Sequence, residues 1–153
     1  MRVCIGGTFN PLHKGHKLLI DKAFEVAGKQ GSVFIGISAG EIIKEKKDTK
    51  SFEEREKAIK KYLYEESFIK RAVVKPIKDK YGPAIKEEFD AIVVSHETRK
   101  TAEEINEKRK QKRKKPLKII QISFVLAEDG HPISSSRIRR HEIDEDGRLL
   151  SQD

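Results

Sequence analysis

The stretch Ile5-Gly6-Gly7-Thr8-Phe9-Asn10-Pro11-Leu12-His13-Lys14-Gly15-His16 joins the apolar run Val3 to Ile5 to a segment in which Leu19, Ile20, Ala23, Phe24 and Ala27 recur at helical spacing. An unbroken apolar run, paired glycines and then a 3.6-residue period read as a buried strand, a tight turn and an amphipathic helix. The turn is neither a GxGxxG fingerprint nor a phosphate loop ending in Gly-Lys-Ser/Thr, so the two commonest nucleotide-binding signatures are absent. Gly6 and Gly7 let the backbone approach a ligand closely, and a helix beginning near Gly15 is expected to offer unpaired N–H groups to an anion. His16 continues the buried stripe of that helix into its first turn, which aims it at the carboxyl edge of the sheet.

The same grammar repeats down the chain. Val33 to Ile37, Ala91 to Val94 and Ile119 to Val125 are short enough to be buried strands, and Ala72-Val73-Val74 is a weaker one. Between them Ala58, Ile59, Tyr62 and Leu63 share a helical face, and Thr101 to Lys114 is rich in helix formers. Ser51 to Glu54 and Thr101 to Glu104 each have the spacing of a capping box. Strands alternating with helices, and too apolar to tolerate a wet face, predict an α/β fold. We expect a Rossmann-like parallel sheet of about five strands with helices on both faces and ligands at the strands' carboxyl ends. No repeat or composition shift divides residues 1–153, so one domain is expected.

Composition narrows the partners. Lys+Arg 33 against Asp+Glu 25 gives a net charge of +8 over 153 residues, which calls for anionic ligands without choosing among them. No apolar stretch approaches the roughly 20 residues of a membrane span, and the N-terminus turns to glycine too early for a signal peptide, so a soluble cytoplasmic protein is expected. The single cysteine, Cys4, excludes an internal disulfide framework and a Cys-rich zinc site and reads as a small buried strand residue. The basic run Lys108 to Lys115 is the one argument for a nucleic-acid-binding module. No aromatic residues interleave with its charges to stack bases, so a solvated helix face is the preferred reading.

Several residues could carry chemistry. His13 and His16, three apart in a polar turn, could be catalytic, could cap a helix, or could ligate a metal with partners elsewhere. Ser134-Ser135-Ser136, with Arg137 and Arg139 at a predicted helix start after Gly130 and Pro132, reads as an anion site or as an ordinary serine cap with a basic first turn. Arg55 heads the apolar stripe Ala58, Ile59, Tyr62 and Leu63, where a charge must bind something, reach water or pair with a glutamate. A parallel sheet brings the loops Asp79 to Pro83 and Ser95 to Thr98 to the same edge as His16, and they should form the acceptor side of a cleft. His96, His131 and His141 read as loop or surface residues.

The first stretch, together with Ile133-Ser134-Ser135-Ser136-Arg137-Ile138-Arg139, resembles the paired signatures of the nucleotidyltransferase superfamily. Val94 to Thr98, Asp79 to Pro83 and Ile105 to Arg109 are similar to the archaeal and eukaryotic type of phosphopantetheine adenylyltransferase. Asn10 stands where that family commonly has Asp. The resemblance implies transfer of AMP from ATP to 4'-phosphopantetheine in coenzyme A biosynthesis, giving dephospho-coenzyme A and pyrophosphate, with Mg²⁺ carried on ATP and no dedicated protein cage for it. It implies catalytic roles for Thr8, His13, His16 and one lysine of Lys44, Lys46, Lys47 and Lys50, of which Lys46 is chosen, and Arg55 joins them as a catalytic candidate from its place on the apolar stripe. ATP would lie on Gly6, Gly7, Thr8, Phe9, His16, Ser134, Ser135, Ser136 and Arg137. The acceptor would meet Asp79, Tyr81, Gly82, Ser95, Glu97 and Thr98. The alternatives within the superfamily are a nicotinamide mononucleotide adenylyltransferase and a cytidylyltransferase; the oligomeric state, monomer included, is left open.

Overall fold

Five strands, β1 (Arg2–Gly7), β2 (Ser32–Ser38), β3 (Ala72–Ile77), β4 (Ala91–Val94) and β5 (Lys118–Gln121), pair in parallel in the order β3-β2-β1-β4-β5. This is a computed structural model, and it describes residues 1–43 and 49–151. The connections carry α1 (Lys14–Ala27), α2 (Phe52–Glu65) and α3 (Arg99–Gln111), and a short α4 (Ser135–Arg139) follows the sheet. The strand order reverses direction at β1. The crevice outside the carboxyl ends of β1 and β4 is therefore the topological switch point, where open parallel sheets bind ligands.

Alternation along each strand sorts the core into two layers. Val3, Ile5, Val33, Ile35, Ala91 and Val93 pack with α1 and α2 on one face, against Ile20, Phe24, Ile59 and Leu63. Cys4, Ile92 and Val94 face the other way, onto Ala102 and Ile105 of α3 and onto Ala84 and Phe89. Both faces are covered, as strands without a polar side require. Cys4 is 4% exposed, and burial pushes its thiol up to about 12, so it is a packing residue and not a nucleophile. Gly36 belongs to the second face: a Cβ there would lie 2.8 Å from Ile77 Cγ2, so its absence lets β2 and β3 close beneath the cleft.

The structure revises three sequence expectations. The weak strand at Ala72 to Val74 continues to Ile77 and pairs along β2, with Ile37 opposite Pro76; at a sheet edge Pro76 need not donate to a second neighbour. The run expected from Ile119 to Val125 begins at Lys118 and ends as a strand at Gln121, where β4 runs out at Val94, whose carbonyl accepts a last bond from the Ile122 N–H at 2.9 Å. Helix α3 starts at Arg99, not at Thr101. Ser95 and Thr98 make the capping box, on a 3₁₀ turn over His96–Thr98 that runs straight into the helix.

Part of the basic run is structural. Arg109 is 1% exposed and donates to the carbonyls of Lys115 (2.7 Å), Ala84 (2.9 Å) and Glu87 (3.0 Å), tying α3 to the segment that leads into β4. Lys114 Nζ donates to the Lys86 carbonyl at 2.7 Å. Among the described residues no helix is long and apolar enough to cross a membrane.

Candidate active site

A cleft of about 630 Å³ opens at the carboxyl ends of the strands, with the turn after β1 on its floor. His13 is the N-cap of α1. Its Nδ1 accepts from the N–H groups of Gly15 (3.0 Å) and His16 (3.3 Å), while His16 Nδ1 accepts from the His13 N–H at 3.2 Å. Gly15 is required by this geometry, since a Cβ on it would sit 2.8 Å from His13 Cε1 and 3.0 Å from Nδ1. The rings stack with centroids 3.7 Å apart, and Phe9 meets His16 edge-on at 5.0 Å. Because both Nδ1 atoms are acceptors, the proton of each neutral ring sits on Nε2. Burial pushes His13 down to about 4; burial, and then the neighbouring His13, push His16 down to about 3. At neutral pH the two residues are therefore uncharged hydrogen-bond donors.

The same contacts correct an expectation about α1. Its first N–H groups are not open to an anion: Lys14 N–H donates to the Glu145 carbonyl at 2.9 Å, Gly15 and His16 to His13 Nδ1, and Lys17 to the His13 carbonyl at 3.0 Å. His13 consumes the donors that a phosphate would have used and replaces them with imidazole N–H groups. The capping reading of His13 is thus the one seen, and the capping ring lines the cleft.

Arg55 is 2% exposed, and among the described residues its guanidinium bonds to carbonyls and forms no ion pair with a glutamate. It donates to the carbonyls of Lys50 (2.9 Å), Thr8 (3.1 Å) and Ser38 (2.7 Å), joining the turn after β1, the end of β2 and the approach to α2. The buried Asn10 accepts the Lys50 N–H on Oδ1 at 3.1 Å, a bond that its neutral amide makes as well as a carboxylate would. Lys44, Lys46 and Lys47 lie outside the described residues, so Lys46 has no structural placement here.

Gly6, Gly7, Thr8, Phe9 and all three serines of the late motif line the cleft. Ser134 is the N-cap of α4, with Oγ accepting the Arg137 N–H at 3.3 Å. Arg139 also lines the cleft and donates to the Asn10 carbonyl at 2.8 Å, whereas Arg137 does not face it. The Arg137 guanidinium is held by Asp129 and by Glu142 (3.0 Å), with a further bond to the Pro132 carbonyl (3.0 Å). Arg139, three residues from Ser136 and four from Ser135, shares their face, whereas Arg137, three from Ser134, is drawn aside by Asp129 and Glu142.

Of the expected acceptor contacts, Tyr81, Gly82, Ser95, Glu97 and Thr98 line the cleft. Asp79 does not: its Oδ1 accepts the N–H groups of Tyr81 and Gly82, both at 2.9 Å, so it builds the turn instead. Tyr81 Oη donates to Glu104 Oε2 at 2.8 Å, and Lys80 Nζ reaches the same carboxylate at 2.8 Å, which fixes this loop onto α3. His96 is exposed on the turn before α3, as expected of a loop residue. It lines the cleft beside the exposed Phe124, ring centroids 5.4 Å apart. Nothing local marks that pair, because Phe124 enters the site only once β5 stops short.

The family model described as cytidylyltransferase-like matches residues 4–141. The chain is 44% identical over 152 residues to a phosphopantetheine adenylyltransferase of Methanosarcina mazei, covering 99% of this chain and 98% of that one. It is 42% identical over 149 residues to the phosphopantetheine adenylyltransferase of Methanosarcina acetivorans, covering 97% and 95%. A crystal structure of an Archaeoglobus fulgidus protein described as of unknown function superposes with a TM-score of 0.70 at 31% identity, covering 80% of this chain and 90% of that one. With the histidine turn and the serine helix meeting in one cleft at the switch point of the sheet, the chain belongs to the cytidylyltransferase-like nucleotidyltransferase family, among the relatives named phosphopantetheine adenylyltransferase.

Proposed function

We propose that this chain transfers AMP from ATP to 4'-phosphopantetheine, giving dephospho-coenzyme A and pyrophosphate. The observation that carries the chemistry is the pair of neutral histidines lining the cleft, each with Nδ1 accepting backbone N–H, which leaves the proton of each ring on Nε2. A phosphate oxygen of the acceptor attacks the α-phosphorus of ATP; the new P–O bond forms as the bond to the bridging oxygen breaks, and the electron pair leaves with pyrophosphate. The attacking phosphate is already anionic at neutral pH, so no general base is needed. What the reaction needs is alignment and donors aimed at the oxygens on which charge grows, and two uncharged imidazole N–H groups supply the latter.

His13, His16 and Thr8 hold the transferring phosphate in this reading, while Ser134, Ser135, Ser136 and Arg139 hold the departing pyrophosphate. Arg55 keeps Thr8 in place through its carbonyl and touches no substrate. Tyr81 and Gly82 take the acceptor, and Ser95, Glu97 and Thr98 stand with them as proposed. Lys46 rests on the resemblance alone. Magnesium would arrive with the triphosphate and offset charge on its phosphate oxygens.

The test is a matrix of ATP and CTP against 4'-phosphopantetheine and nicotinamide mononucleotide, with pyrophosphate release measured for each pair. Release with ATP and 4'-phosphopantetheine well above the other three pairs is expected. Preference for CTP, or for the nicotinamide acceptor, would overturn the assignment.

A further inference from the structure

The segment after α4 has no role in the reaction as derived so far, yet it touches both halves of the site. Residues 141–150 form a small hairpin closed by the Ile143 and Leu149 bridge, with Asp144 Oδ1 accepting the N–H groups of Asp146 and Arg148, each at 2.9 Å. Ile143 is fully buried against Ala127 and Ile133, the residue that opens the serine motif. Gly147, at φ +84, lies so close to Ile133 and Ala127 that a Cβ there would be 2.7 Å from Ile133 Cδ1. At one end the hairpin is tied to α4 by the Arg137 and Glu142 pair (3.0 Å) and by the Glu142 N–H on the Arg137 carbonyl (3.0 Å). At its tip the Glu145 carbonyl accepts the Lys14 N–H, the first donor of α1, beside the catalytic histidines.

We propose that this hairpin is a positioning element of the active site, with Arg137 as its anchor, setting the separation between the serine helix and the histidine turn. It rests on the reading above that these two motifs grip one nucleotide. The motifs stand more than a hundred residues apart in sequence; Arg139 joins them directly through the Asn10 carbonyl, and the Lys14 N–H joins the histidine turn to the hairpin through the Glu145 carbonyl. The second depends on how the hairpin is held: Arg137 clamps Glu142 of the hairpin to Asp129 and the Pro132 carbonyl of the loop before α4, beside bonds from the Glu128 N–H to the Gly147 carbonyl (2.9 Å) and from the Leu149 N–H to Glu128 Oε2 (3.3 Å), and a lysine cannot reproduce that fork because its ammonium is a single point charge. Arg137 is thereby a positioning residue and not a phosphate ligand.

Two readouts test this. Amide exchange in Arg137→Gln should accelerate at Lys14 by roughly tenfold or more while the amides of Leu19 to Phe24 keep their protection. Turnover should fall by roughly tenfold or more, since misplacement of reacting groups is felt mainly in the chemical step, with the Michaelis constant for ATP changing less than about threefold. Arg137→Lys should recover part of the turnover. If Arg137→Gln proves too unstable, Gly147→Ala carries the test, because it lifts the hairpin off Ile133 without touching Arg137. Unchanged Lys14 exchange together with wild-type turnover overturns the proposal. So does selective loss of affinity for ATP over AMP at full turnover, the signature of a phosphate ligand. Failure of the adenylyl-transfer reading itself would show separately, as absent AMP transfer in the parent chain with the Lys14 amide still coupled to Arg137.

Discussion

Gly15→Ala separates stability from chemistry at a single methyl group. Its Cβ would lie 2.8 Å from His13 Cε1, about 1 Å inside ordinary contact, so the imidazole must swing away. Swinging breaks both bonds into His13 Nδ1 and with them the cap of α1, a loss of about 1 kcal/mol. Ala in place of Gly within the first turn returns up to about 1 kcal/mol of helix propensity. The two effects nearly cancel, so the melting temperature should move by no more than about 4 °C. Catalysis has no such compensation. The His13 ring is displaced from the 3.7 Å stack that also places His16, and a misplacement of about 1 Å costs roughly 100-fold. Pyrophosphate release measures turnover, and differential scanning calorimetry measures the melt. Turnover within a factor of about three of the parent, in a protein whose melt is unchanged, would refute the claim that the two rings are set by this cap.

His16→Ala removes a donor used mainly in the transition state and should lower turnover by roughly 10²–10³-fold, with a smaller change in ATP affinity by calorimetric titration. Arg139→Ala should weaken ATP much more than AMP, because only ATP carries the phosphates assigned to α4; equal weakening of both nucleotides would count against that placement. Acid should destabilise the fold through the histidines. Their folded values, about 4 and about 3, lie below the ordinary 6.5, so the unfolded chain takes up protons first and this contribution, complete above pH 6.5, is lost as pH falls toward 3. Between pH 7 and pH 5 each histidine can withdraw up to about 2 kcal/mol, and a urea midpoint insensitive to pH across that range in His13→Gln/His16→Gln but not in the parent is the expected pattern.

What could be read from the chain was whatever short-range pattern decides. The β1 run, the glycines and the stripe Leu19 to Ala27 define a strand, a turn and a helix without help from the rest of the fold. The serine motif and the histidine turn were each visible for the same reason. The misreadings share one cause, which is that a distant partner decides. β5 stops where β4 runs out of residues to pair with, and that in turn puts Phe124 beside His96 in the cleft. Arg55 was singled out on its apolar stripe, but its partners are three carbonyls from three segments, which no window around residue 55 contains. Arg109 hides in a basic run for the same reason. The N–H groups of α1 looked available because the histidine cap was one of three open readings of the turn and the Glu145 carbonyl lies far away in sequence.

The central claim is that an acceptor phosphate oxygen displaces pyrophosphate from ATP in this cleft, and it is tested most directly by supplying 4'-phosphopantetheine labelled with ¹⁸O in its phosphate together with unlabelled ATP. Mass spectrometry should find dephospho-coenzyme A that retains every labelled oxygen, and pyrophosphate that carries none. Label in the pyrophosphate, or no adenylylated product from this acceptor at all, would contradict the account.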